Sequence, residues 1–230
     1  MQIDLLASIE MTVCVAIAIS TLSIGFGENG LARVRIASGL SAWFALVTIM
    51  ASTGLLTYPH GLGTPGLGVA VAVPIIILVA SVLVSPSLRQ ALRSIPLPVL
   101  IGVNVIRILG VTFLILYALG RLPFPFAPVA GWGDILAGIT AVPVAWFAYK
   151  LGTSAQPLVW IWNTFGLLDL VAAIGLGVIS APGPTQLIFA APGTTIMTTL
   201  PWLIIPAFLV PLLASTHLAV FYRLINRERR

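Results

Sequence analysis

Two charged side chains stand deep inside apolar runs of this sequence: Arg107 in VLIGVNVIRILGVTFL and Asp169 in WNTFGLLDLVAAIG. Opposite charges in such surroundings can pair to hold two helices in register, relay a proton, or bind a substrate ion. Asn104 precedes Arg107 by three residues and Gly110 follows it by three, so one helical face offers an amide, a guanidinium and a gap for close approach. Gly166 and Ala173 flank Asp169 in the same way, while Asn163 lies nearly two turns away and off to one side. Arg107, Asp169, Asn104 and Asn163 are therefore the residues expected to form a transport or ligand site.

Three further polar residues call for a reading. Asp134, in GWGD, is expected at the start of a helix, where a carboxylate caps free N–H groups and meets the positive end of the helix dipole. With Glu10 it would line an acidic outer vestibule. His217, in LLASTHLAVFYRL, is expected near the inner end of the last helix as a separate polar site, hydrogen-bonded to a neighbouring helix. Trp160 and Trp162 read as headgroup-level anchors. His60 and His217 fall on opposite sides of the expected bundle, so neither a bis-histidine haem nor a zinc site is expected, and no cofactor or metal is assigned.

The elements that must position these residues follow from composition. The chain has 230 residues, of which 59% are hydrophobic and only 7% charged, against about a quarter charged in ordinary soluble domains. Disorder, collagen and disulfide scaffolds are excluded, the last because Cys14 is alone. The net charge of +5 comes from basic residues scattered in ones and twos, with no stripe that would bind nucleic acid. A bilayer-crossing helix needs roughly 20 apolar residues. Seven stretches qualify, at about 4–25, 36–57, 68–85, 97–119, 132–150, 158–179 and 199–222.

The expectation is an all-α integral membrane protein: one transmembrane domain over 1–230, a bundle of seven helices with its N-terminus outside and its C-terminus cytoplasmic. The orientation rests on Arg33, Arg35, Arg89, Arg93, Lys150, Arg223, Arg227, Arg229 and Arg230 falling inside and Arg121 alone outside. The first run carries Asp4 and Glu10 and lacks a basic leader, so it reads as a retained span. Arg107 and Asp169 then sit ~15–17 Å from the same face at ~1.5 Å per residue, near the midplane. Inward segments are short and charged, with Arg89 and Arg93 one turn apart facing anionic headgroups; outward loops are long and rich in Pro and Gly. This pattern suits a bacterial inner membrane.

Seven spans invite comparison with retinal proteins, but the only lysine, Lys150, stands at a helix end where it cannot reach a central chromophore. Motifs for nucleotide binding, serine hydrolysis, zinc hydrolysis and dithiol chemistry are absent from the sequence. The reading that follows is a small transporter or channel with a proton- or cation-linked Arg/Asp site. The alternative is a sensor, receptor-like or assembly subunit binding through its Pro/Gly-rich loops. A redox or lipid-modifying enzyme ranks last. The expected partners are membrane lipids and a small solute or proton, with a second copy or a partner subunit left open.

Overall fold

The computed structural model describes residues 2–57 and 60–227. Tyr58 and Pro59 of the first Pro/Gly-rich loop, and Arg229 and Arg230 of the basic tail, lie outside the described residues. Among these residues the fold is all-helical, in the order α1 (Gln2–Phe26), α2 (Gly30–Ser52), α3 (Gly63–Val84), α4 (Pro86–Ser94), α5 (Leu97–Gly102), a 3₁₀ segment (Val103–Gly110) and α6 (Val111–Ala118), then α7 (Phe126–Leu151), α8 (Gln156–Ser180), a π-helical turn (Ile205–Leu209) and α9 (Val210–Arg227).

Among the described residues six helical segments are long and apolar enough to cross a membrane, the fifth being the 55-residue stretch Phe126–Ser180. That stretch contains two helices: Gly152, at φ +56°, ends α7 in a conformation other residues rarely adopt, and a 3₁₀ turn over Gly152–Ala155 leads into α8. Large apolar side chains such as Leu83, Val84 and Ile161 point out of the bundle at 74%, 79% and 70% exposure, as suits a protein solvated by lipid.

Local signals account for most helix ends. Asn29 caps α2 through Ala32 N, and Ser85 caps α4 through Leu88 N with Pro86 in the first turn. The segment expected as an interfacial turn is the short helix α4, and Arg89 turns back from it to donate to the carbonyls of Val82 and Leu83 at the end of α3. Arg223 of α9 donates to the carbonyls of Arg93 and Ile95 at the end of α4. Both arginines thus serve the carbonyls that a helix leaves unpaired at its end.

Two boundaries differ from expectation in ways that matter. Residues 126–131 were expected in a loop because they follow LPFP, yet α7 begins at Phe126, six residues before the expected start. The last helix was expected from 199, but 199–203 is turn-like and the helix begins through a π turn containing Pro206, whose missing N–H and ring disfavour α geometry there.

The packing has layers. One apolar cluster includes Ile106, Leu109, Phe113, Ala130, Leu170 and Leu213. A second includes Leu100, Ile101, Ala141, Val144, Trp162 and Val220. On α7, α8 and α9 the residues that separate these clusters are polar: Asp134, Asn163 and Asp169, and His217. On the α5–α6 segment the clusters meet between Ile101 and Val103, and Arg107, between Ile106 and Leu109, reaches the same polar residues with its side chain. α7 packs on the 3₁₀ segment, α5, α6 and α8, and α9 packs on α8, α5 and α3.

Candidate functional site

The polar layer is organised by Arg107, which is 1% exposed. Its Nε donates to Asp134 Oδ1 at 2.7 Å and its Nη2 to Asp169 Oδ2 at 2.5 Å, both as ion pairs. Its Nη1 donates to the carbonyl of Gly166 at 2.9 Å and lies 3.2 Å from His217 Nε2. Four of the five guanidinium N–H groups are therefore engaged. The fork does not grip one carboxylate with two bonds; it is divided between two.

The protonation state of His217 follows from its partners. Arginine has no acceptor, so Nε2 must accept from Nη1 and carries no proton. Nδ1 then holds the proton and donates to Asn163 Oδ1 at 2.7 Å, while Asn163 Nδ2 donates to the carbonyl of His217 at 3.0 Å. His217 is neutral in this arrangement and fully buried. Trp162 lies against its ring at 5.2 Å between centroids and donates through Nε1 to the carbonyl of Ala137 at 3.2 Å.

Close backbone approach makes the cluster fit. A Cβ on Gly138 would stand 2.7 Å from the backbone N of Ile108 and 3.0 Å from the carbonyl carbon of Arg107, so α7 can lie on the 3₁₀ segment only without one. A Cβ on Gly133 would occupy the space of the Asp169 carboxylate, and one on Gly166 would come 2.5 Å from His217 Cε1 and 2.8 Å from Nε2. The glycine before Asp134 in GWGD thus makes room for the second carboxylate.

Of the four residues expected at the site, Arg107, Asp169 and Asn163 come together, and they are joined by Asp134 and His217, which were expected elsewhere. Asn104 does not reach the guanidinium: it donates to the carbonyl of Leu100 at 3.0 Å and to Thr216 Oγ1 at 3.3 Å. Its Oδ1 is buried with no hydrogen-bond partner among the described residues. Asp134 does not cap α7; Pro125 holds that position and Asp134 is well inside the helix, facing Arg107. Nor does it share a vestibule contact with Glu10, which is half-buried and accepts from Thr112 Oγ1 at 2.8 Å on another face of the α5–α6 segment. His217 belongs to the Arg107 layer rather than to a separate inner site, because its helix starts later and ends later than expected. Trp162 is buried beside His217 and is no surface anchor.

Asp134 also borders a cavity of about 70 Å³ between α3 and α8, which is otherwise almost wholly apolar. Among the described residues no group of three His, Cys, Asp or Glu could hold a metal ion. Chemically, the layer can exchange a positive charge on a carboxylate or hold an ion. It offers no activated nucleophile.

No curated protein and no solved structure matches this chain. Residues 64–225, which carry Arg107, Asp134, Asn163, Asp169 and His217, match the family described as Domain of unknown function (DUF8737), and the chain belongs to that family.

Proposed function

We propose that this protein is a small membrane transporter whose central layer carries one exchangeable positive charge, a proton or a cation. The observation that supports this reading is the division of Arg107 between Asp134 and Asp169. With His217 neutral, one guanidinium faces two carboxylates, and the tally is one unit negative. An unbalanced charge between two apolar layers is costly, so the layer binds one further positive charge in its resting state. Two departures from α geometry lie in the elements that carry it: the 3₁₀ segment with Arg107, and the π turn at Ile205–Leu209 that leads into the helix of His217. Such segments recur at functional hinges.

Under this reading the 55-residue segment makes two crossings. α7 and α8, at 26 and 25 residues, are each long enough to cross. The bundle then has seven spans. The basic residues orient it with the N-terminus outside and the C-terminus inside, in a bacterial inner (plasma) membrane.

Proton flux into proteoliposomes tests the proposal. An internal pH dye reports flux under an imposed gradient, with the membrane potential clamped, for the wild type and for Asp169→Asn. The variant leaves Arg107 and Asp134 as a balanced pair, so it is expected to keep its melting temperature within a few degrees and to fall to the rate of empty liposomes. Flux that persists in the folded variant, or a wild type no faster than empty liposomes whether sodium, potassium or ammonium ions face the proton gradient, would overturn the proposal.

A further inference from the structure

The cavity beside Asp134 has a chemistry of its own. Its walls come from α3, through Leu67 and Val71, and from α8, through Ala173 and Ile174, and among the described residues Asp134 is the one charged residue that lines it. Asp134 Oδ1 is taken by Arg107, and among the described residues no hydrogen bond reaches Oδ2. Two of the three threonines that line it, Thr194 and Thr198, donate their hydroxyl protons to the carbonyls of Gly177 and Thr195, so their oxygens keep only lone pairs to offer a ligand. An apolar wall with an anionic acceptor at one end is complementary to a molecule with an apolar body and a hydrogen-bond-donating cationic head.

We propose that this cavity binds a small organic ammonium ion, with its head on Asp134 Oδ2 and its carbon body between α3 and α8. The inference rests on the transport reading for its consequence and deepens it by naming the substrate class. The layer has a place for one additional positive charge, so an arriving ammonium releases the proton held there to water, and the two exchange. At about 70 Å³ the space is roughly half that of a ~150 Å³ apolar cavity that takes benzene, which limits the enclosed body to a few carbons. Ile205 and Pro206 of the π turn border the same space, so the irregular start of the last helix shapes the cavity.

The test compares butylammonium with butan-1-ol on the purified protein, read by calorimetry and by proton release into weakly buffered detergent solution. Butylammonium is expected to bind about tenfold or more tightly than the alcohol, the discrimination of a charge-assisted hydrogen bond, and to release protons on binding. Ala173→Phe fills the space from α8 and Leu67→Phe fills it from α3; whichever keeps the wild-type melting temperature is expected to lose binding. Equal binding of the alcohol, or undiminished binding in a folded space-filling variant, would overturn the inference. The two readings fail separately. Proton flux in proteoliposomes without butylammonium binding would sink the substrate class alone. Binding that Ala173→Phe abolishes, without any flux even when butylammonium is supplied against the proton gradient, would leave the site standing and sink transport.

Discussion

Replacing Arg107 with glutamine removes the donors from four buried acceptors at once: Asp134 Oδ1, Asp169 Oδ2, the Gly166 carbonyl and His217 Nε2. Breaking a buried ion pair by deleting one partner costs ~3–5 kcal/mol, because the remaining charge is stranded. Two carboxylates lose their counter-ion here, but a stranded carboxylate can take up a proton instead of staying charged, so the cost stays near that range and does not double. Against a total stability of ~5–15 kcal/mol the loss is large. The assay is unfolding in mixed detergent micelles, followed by the fluorescence of the six tryptophans. A second variant supplies the control: Arg107→Leu combined with Asp134→Asn and Asp169→Asn carries no buried charge and is expected to regain most of the lost stability. If Arg107→Gln unfolds within about 1 kcal/mol of the wild type, or the triple variant is no more stable than the single one, the stranded-charge reasoning is wrong.

The packing around the cluster predicts a contrast along α8. Gly166→Val drives a side chain into His217 and is expected to lower the melting temperature by many degrees, whereas Gly175→Val, with nothing within 4 Å of its Cβ, is expected to leave it within a few. Equal effects would mean that the close approach to His217 carries no weight. A second contrast separates depth from charge. Asp4 pairs with Arg121 at 2.8 Å, but both side chains are 34% exposed, so Asp4→Asn is expected to cost less than ~1 kcal/mol in the same unfolding assay. A loss as large as that of Arg107→Gln would show that burial does not set the scale.

Much of the arrangement was legible in the residues themselves. That Arg107 and Asp169 can meet followed from counting residues along two apolar runs, because the rise per residue is constant and both runs have clear starts. Asp134 was misjudged for the complementary reason. A Pro-rich approach hid the start of α7 at Phe126, and a start at 132 put the carboxylate at a helix end. Counted from Phe126 it lies ~12 Å along the helix, level with Arg107. His217 was displaced by the same kind of error, since the π turn at Pro206 delays the start of α9 while the apolar residues around that proline read as one continuous span. The neutral tautomer of His217 was beyond reach of the sequence, because it depends on which atoms of Arg107 and Asn163 face the ring. Gly133 carried a signal of a sort: it stands directly before a buried carboxylate, and the residue that needs the space is Asp169, 36 positions on in the sequence.

That one guanidinium is shared by two carboxylates, leaving a place for one exchangeable positive charge, is tested most directly by infrared difference spectroscopy of protein reconstituted in lipid, recorded as the bath pH is changed. The predicted result is a protonated-carboxyl C=O stretch that appears and disappears reversibly in the wild type and is missing from Asp169→Asn, in which Asp134 keeps Arg107 to itself. A wild-type spectrum without such a band at any pH, or one that Asp169→Asn reproduces, would contradict it.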